Sequence, residues 1–372
     1  VLNGGELNNC SAQGTLLVNN TTLSIAKPQD QYAEIAHGGL VGWAVGATIY
    51  NCEGDVDVTV TSLGAANKAK ASAGGVVGAI ANLCKMNNVT NNGDVLYNGT
   101  TNAAAMYLGG VVGKSSYSTP SLAEFSNITN HGNVSTAKDS KNDADLLMAG
   151  CAGDIVMENA TVVCNNLTNN GDITHNGYSN GIRLGGVGAY VCTGSFTNCK
   201  NTGDLTITTG ARHLAAYMGG VFGNTVYPKT MDNIVNEGAI TIQDAAKEDL
   251  TFKHGYIQMY GIAYGVSMKA GDDIPTVKNC INRGPLSVGK ITNATTGNGG
   301  RLYMAGLFSN IYAGHFSNCT NEATGTITAK TGLWSTEYMI GGFVTYLGSN
   351  SNCKTIKITD CENKAAILCD PY

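Results

Sequence analysis

Asn166-Leu167-Thr168-Asn169-Asn170-Gly171 is one copy of a phrase that returns ten times: an Asn, an apolar residue, an Asn two positions on, a Gly two further, then a β-rich run. Other clear copies are Asn9-Cys10…Gly14, Asn88-Val89…Asn91…Gly93, Asn127-Ile128…Asn130…Gly132, Asn198-Cys199…Asn201…Gly203, Asn233-Ile234…Asn236…Gly238 and Asn279-Cys280…Asn282…Gly284. Degraded copies stand at Asn51-Cys52, Asn318-Cys319…Asn321 and Asp360-Cys361…Asn363. A second phrase, two small residues followed by apolar ones, interleaves with the first at Gly38-Gly39, Gly74-Gly75, Gly109-Gly110, Ala149-Gly150, Gly185-Gly186, Gly219-Gly220, Tyr260-Gly261, Ala305-Gly306 and Gly341-Gly342. The chain is a repeat array.

Successive copies of the double-small phrase are 36, 35, 40, 36, 34, 41, 45 and 36 residues apart, so loops vary while a fixed frame stacks. One period holds three short β-like runs, Met106–Gly113, Ala123–Asn130 and Gly132–Ala137. None can form an independent sheet, but each can pair with its equivalents in a continuous parallel sheet. The pattern predicts an all-β, three-sided parallel β-helix with about one coil per 34–45-residue repeat. About ten rungs at ~4.8 Å would make a body roughly 50 Å long. Length alone would suggest several domains. The repeat instead implies a single solenoid over residues 1–372, with degenerate first and last copies and no separate catalytic domain.

Two columns read as core. One residue after the second small position stand Leu40, Val76, Val111, Cys151, Val187, Val221, Ile262, Leu307 and Phe343. Two before it stand Ala73, Leu108, Met148, Leu184, Met218, Met259, Met304 and Ile340, with His37 the exception. The Asn columns suit corners, because Asn tolerates the left-handed region and stacked amides can hydrogen-bond along the axis. Asn88, Asn127, Asn166, Asn198, Asn233 and Asn279 are the expected structural ladder. Asn88, Asn127, Asn166 and Asn318 also begin formal N-glycosylation sequons, but burial in the ladder would keep them unmodified.

Of twelve cysteines, Cys10, Cys52, Cys199, Cys280, Cys319 and Cys361 occupy the slot filled elsewhere by Val89, Ile128, Leu167 and Ile234. A slot that accepts Leu is an apolar core position, not a zinc ligand, so these thiols are expected to be buried and free. Cys353, Cys361 and Cys369 are the best candidates for a real bridge.

The formal charge of −5 and the 13% of charged residues provide no basic stripe, which excludes nucleic acid as a partner. The Gly-rich stretches 37–50 and 71–83 are too short to span a membrane and read as strands. No export or sorting motif is visible, and the chain begins inside a weak repeat, so it reads as a mature or excised piece.

Chemistry-bearing residues are few. Asp55, Asp94, Asp172 and Asp204 follow the motif Gly and would align in one column. Paired carboxylates there could act on a polysaccharide, or hold a calcium-like cation at Asp55–Asp94 and Asp172–Asp204. The same column accepts Thr15, Asn133, Ala239 and Pro285, so turn chemistry explains it without a cofactor. The acidic loops 138–145, 244–249 and 272–273 lack a calcium-loop pattern. The six histidines, at 37, 131, 175, 213, 254 and 315, show no metal-ligand spacing, and there is no serine-hydrolase elbow. Tyr107, Tyr217 and Tyr303 share a position next to the inward column, so strand alternation points them outward as a platform for sugar rings or a partner protein. The plain alternative is that aromatics favour β-surfaces.

Gly38-Gly-Leu-Val-Gly42, matched at Gly74–Gly78 and Gly109–Gly113, resembles the GLUG-motif repeats of bacterial cell-surface proteins, especially those of gut Bacteroidetes. The likeness runs from about Gln31 to Leu368, with departures at Ala149, Tyr260-Gly261 and Ala305. Such repeats occur in stalk or adhesion-like regions and beside immunoglobulin A-cleaving metallopeptidase domains, whose catalytic motif this chain lacks. The resemblance implies an extracellular, non-enzymatic solenoid at a bacterial surface that binds glycan or protein. Two alternatives are a filament or stalk subunit associating end to end through unpaired coil edges, and a lyase or glycosidase using the Asp columns.

Overall fold

The computed structural model describes residues 1–19, 34–62, 70–101, 105–115, 122–155, 163–208, 215–243, 256–268, 272–289, 300–330, 335–348 and 355–370. Among them every paired strand is parallel and there is no helix; the strands stack in register into a β-solenoid.

One coil shows the plan. It runs through Ala105–Gly109, Val112–Ser115, Leu122–Asn130 and Val134–Thr136. The run read from sequence as Met106–Gly113 is thus two strands, because the chain turns at Gly109-Gly110 and its halves join different sheets. Gly109 needs its missing side chain, since a Cβ there would lie 1.9 Å from the Val112 carbonyl oxygen.

Inward residues form two apolar cores, not one. Met106, Leu108, Met148 and Leu184 pack with Val95, Val134 and Ile173 from the fourth strand position. Val111, Val112, Cys151 and Val187 pack with Phe125, Ile128 and Leu167 from the third. At roughly 1.5–3 kcal/mol for each large side chain buried, these columns dominate the stability of the array.

The recurring Asn residues divide into two ladders. The first Asn of each phrase has φ of 52–56° and marks a corner of the third strand position; Asp360 does the same at φ 54°. Their amides do stack: Asn88 Nδ2 donates to Asn51 Oδ1 at 2.8 Å, and Asn166 Nδ2 to Asn127 Oδ1 at 2.8 Å. Some rungs use a neighbour instead, as when Asn127 and Asn198 donate to Asn87 and Asn165. Asn233 returns to Asn198, and Asn279 donates to Asp232. Contrary to the sequence reading, this ladder is exposed, with Asn279 half-buried, because its members lie at the convex corner while the following residue turns inward.

The buried ladder is formed by the second Asn. Asn91, Asn130, Asn169, Asn201, Asn236, Asn282 and Asn321 are inaccessible. Each amide donates both to the next rung's Oδ1, at 2.8–3.0 Å, and to a carbonyl after its own corner, as from Asn169 to Asn201 and to Gly171. It lies against the second glycine of the double-small phrase: a Cβ on Gly110 would stand 2.2 Å from Asn130 Oδ1. The two phrases are therefore halves of one contact.

Candidate functional site

The corner at the double-small phrase is concave. The first and second strand positions meet there as the walls of a cleft, and alternation along the first wall aims Tyr107, Leu147, Arg183, Tyr217, Gln258, Tyr303 and Met339 into it on successive rungs.

Early in this row the cleft is filled. Tyr107 is 3% exposed, packed with Ala105, Leu147, Ala149 and Ala189. The Lys114 ammonium, on the opposite wall, sits 5.2 Å from its ring centroid. Tyr107 therefore points away from the coil interior, as alternation requires, but it does not offer a surface. Small residues at this corner let the walls close on it.

Later in the row the walls part. Tyr260 stands where other copies have Gly or Ala, is fully buried, and donates its hydroxyl to the Gly223 carbonyl. Tyr264 occupies the opposite-wall position that is Gly223 one rung earlier. Tyr217 meets Tyr264 edge to face, with centroids 5.8 Å apart and planes at 84°; Tyr312 and Tyr346 lie 6.0 Å apart. Together with Tyr256 and Tyr303 these rings line a cleft of about 420 Å³, joined by Gln258, Asn310, Arg301, Glu337 and Met339. Two depressions on the outer faces, lined around Thr241 and Thr328 and around Glu124 and Asn165, contain no aromatic side chain.

The polar groups in the cleft are held in place. Tyr303 donates its hydroxyl to Glu337 Oε1 at 2.9 Å, and Arg301 Nε pairs with Glu337 Oε2 at 2.8 Å. The Arg301 guanidinium lies 5.1 Å from the Tyr256 ring centroid, and Arg183, paired with Asp145 at 2.9 Å, lies 5.6 Å from that of Tyr217. Burial raises the phenols of Tyr217 and Tyr264 above the ordinary range. Burial and then the Glu337 carboxylate raise Tyr303 likewise. These phenols stay protonated at neutral pH and present ring faces and hydrogen-bonding hydroxyls to the cleft.

Of the two aspartate pairs expected from sequence, Asp172 and Asp204 stack on neighbouring rungs, but Asp55 and Asp94 do not. Asp94 aligns with Asp57, not Asp55, because Gly54 takes the place of the second Asn and the motif is offset by two in that copy. Asp57, Asp94, Asp172 and Asp204 each accept the backbone N–H of the next rung, at 2.7–2.9 Å. That is turn chemistry. Among the described residues no group of three or more His, Cys, Asp or Glu side chains is placed to hold a metal ion. Residues 244–249, His213, His254 and Cys353 lie outside the described residues. Cys361 is half-buried and Cys369 exposed; both are free thiols, as are the buried Cys52, Cys84, Cys151, Cys164, Cys199, Cys280 and Cys319.

The tyrosines at 256, 264, 312 and 346 had no column of their own in the sequence; only the facing of two walls makes them neighbours of Tyr217 and Tyr303. No family model, no curated protein and no solved structure matches this chain.

Proposed function

We propose that this protein is a non-enzymatic, extracellular surface solenoid that binds glycan in the tyrosine cleft. The observation that carries the reading is the gathering of Tyr217, Tyr256, Tyr264, Tyr303, Tyr312 and Tyr346 around one cleft with fixed amide, guanidinium and carboxylate groups. Aromatic faces pack against the C–H faces of sugar rings, and oriented polar groups pair with hydroxyls. The cleft runs along the solenoid axis, because its rings come from successive rungs, and it suits an extended chain more than a single sugar. The GLUG-like phrases support placement at a bacterial surface.

A glycan array probed with the whole chain and with its Tyr217→Ser/Tyr303→Ser variant tests this. Binding by the parent that the variant loses is the expected result; a folded parent that binds no glycan would overturn the reading.

A further inference from the structure

The cysteines of the third strand position are not scattered evenly along their column. Cys10 and Cys52 occupy neighbouring rungs near one end of the stack, where the Glu53 amide donates to the Cys10 carbonyl at 3.0 Å. Cys280, Cys319 and Cys361 occupy three successive rungs near the other, joined by Thr320 N to Cys280 O at 2.9 Å and Glu362 N to Cys319 O at 3.0 Å. Between them the slot holds Val89, Ile128, Leu167 and Ile234, with Cys199 lacking a cysteine neighbour in the column.

The stacked thiols share one rotamer, each reaching the carbonyl two residues back: Cys10 to Asn8, Cys52 to Tyr50, Cys319 to Ser317 and Cys361 to Thr359, at 3.2–3.4 Å. Their sulfurs therefore lie over one another along the axis, and Cys10 interacts directly with Cys52, as Cys319 does with Cys361. In-register parallel strands hold equivalent Cα atoms about 4.8 Å apart. A disulfide spans Cα separations of roughly 4.4–6.8 Å, so a side-chain rotation suffices to join two rungs. Each pair also has one half-buried member, Cys10 or Cys361, and one buried member, Cys52 or Cys319.

We propose that Cys10–Cys52 and Cys319–Cys361 are redox-formed staples that lock neighbouring coils together by exchange with a small-molecule disulfide. In the first step the half-buried thiol, as thiolate, attacks one sulfur of the small disulfide RSSR. It forms protein–S–S–R and expels RS⁻, which takes a proton. In the second, the thiolate of the buried partner attacks the protein sulfur of that mixed disulfide, forming the cross-rung S–S bond and expelling the second RS⁻, which takes the partner's proton. Two protein thiols are oxidised and one small disulfide is reduced to two thiols.

The order of the steps follows from the environment. Burial pushes the Cys361 thiol up to about 11, so its ionisation limits entry and the rate rises with pH. The Cys280 thiol, and in the reduced chain the Cys361 thiol, hold Cys319 below its ordinary value against desolvation; the Cys361 hydrogen bond is lost when that residue becomes a mixed disulfide, and the Cys280 donor remains to favour the Cys319 thiolate in the closing attack. Cys151, Cys164 and Cys199 are fully buried and have no half-exposed partner, so they should stay reduced. This inference is independent of the cleft.

The test is non-reducing peptide mapping of the reduced whole chain after incubation with oxidised glutathione. Cys10–Cys52 and Cys319–Cys361 links are expected, with Cys151, Cys164 and Cys199 free. A Cys361–Cys369 link, persistent glutathione adducts on Cys10 and Cys361, or no modification would overturn the proposal. In Cys361→Ser the Cys280–Cys319 pair should remain reduced; its oxidation at the parent's rate would show that entry does not occur at residue 361. Hydrogen exchange of the strands at 11–19 and 356–370 should slow at least about tenfold on oxidation; unchanged exchange with the bonds formed would show that they are not staples.

Discussion

Asn166 and Asn169 stand three residues apart on one strand and donate their amides in opposite directions along the solenoid, Asn166 back to Asn127 and Asn169 forward to Asn201, both at 2.8 Å. The reversal follows from the corner between them: the φ of 56° at Asn166 turns its side chain outward, and the chain then brings Asn169 inside. Oriented amide stacks add their dipoles along the axis, so two ladders of opposite sense offset one another.

The inner ladder should carry more stability than the outer. Asn169→Ala leaves Asn130 without its acceptor and Asn201 Oδ1 and the Gly171 carbonyl without their donor, in a dry interior, and should cost about 1–3 kcal/mol. Asn166→Gly loses an exposed hydrogen bond but keeps the left-handed backbone, and should cost less than about 1 kcal/mol. Asn98→Ala, at an exposed site outside both ladders, is the control. Urea denaturation of the three variants checks the order; equal losses at 166 and 169 would mean that the inner amides are not a ladder.

The second glycine of each double-small phrase is bound to that ladder by volume. In Gly110→Ala the new Cβ would meet Asn130 Oδ1 and the Gly150 carbonyl oxygen, both at 2.2 Å, and the variant should lose more than about 3 kcal/mol or fail to fold. Gly46, at φ 57° with its nearest neighbour at 3.4 Å, should accept Asn with little loss. Similar thermal midpoints for the two variants would contradict the packing described.

Much of this is legible in the sequence because the repeat itself aligns equivalent residues. Leu108 with Met148, and Ile128 with Leu167, read as core columns and are core. Alignment fails where a copy departs from the pattern: Gly54 replaces the second Asn, so the motif points to Asp55 although Asp57 stacks under Asp94. It also cannot say which side of a corner is inside, so the sequence reading places the exposed Asn166 column in the interior and the sequon argument built on that burial falls. Tyr107 illustrates the remaining limit. Its outward direction follows from strand alternation, but its burial depends on Lys114 across the Gly109-Gly110 corner, a contact between walls that no column contains.

Thiol reactivity should follow depth. In the reduced chain a thiol reagent should label the exposed Cys369 first and the half-buried Cys10 and Cys361 more slowly. Cys151, Cys164 and Cys199, whose thiols are raised by burial, should react only after denaturation. Rapid native labelling at any of those three, seen by mass mapping, would contradict the second core.

His37 stands in the inward column where other copies have Leu, Met, Ala or Ile, and its Nε2 is buried without a hydrogen-bond partner. Burial lowers its pKa below the ordinary 6.5, so the unfolded chain binds the proton more readily than the folded one. Its effect on stability is absent above about pH 7 and grows unfavourable as pH falls through 6.5 toward the folded value. His37→Leu should therefore raise the thermal midpoint and reduce its decline between pH 7 and 5; an unchanged decline would assign that sensitivity elsewhere.

The tyrosines of one column should separate into structural and binding members. Tyr107→Ala removes a buried ring and leaves Lys114 over a cavity, and should cost about 2–4 kcal/mol. Tyr217→Ser with Tyr303→Ser removes half-buried rings at the cleft surface and should cost less, because water can enter where they stood. Each aromatic contact contributes only about 1 kcal/mol to binding, so the double variant, not either single one, should lose glycan capture. Calorimetry and a pull-down on immobilised glycan, run on the same preparations, give the two readouts. A stable Tyr107→Ala variant with lost binding would move the site to the closed part of the cleft; a Tyr217→Ser/Tyr303→Ser variant that still binds would remove it from the open part.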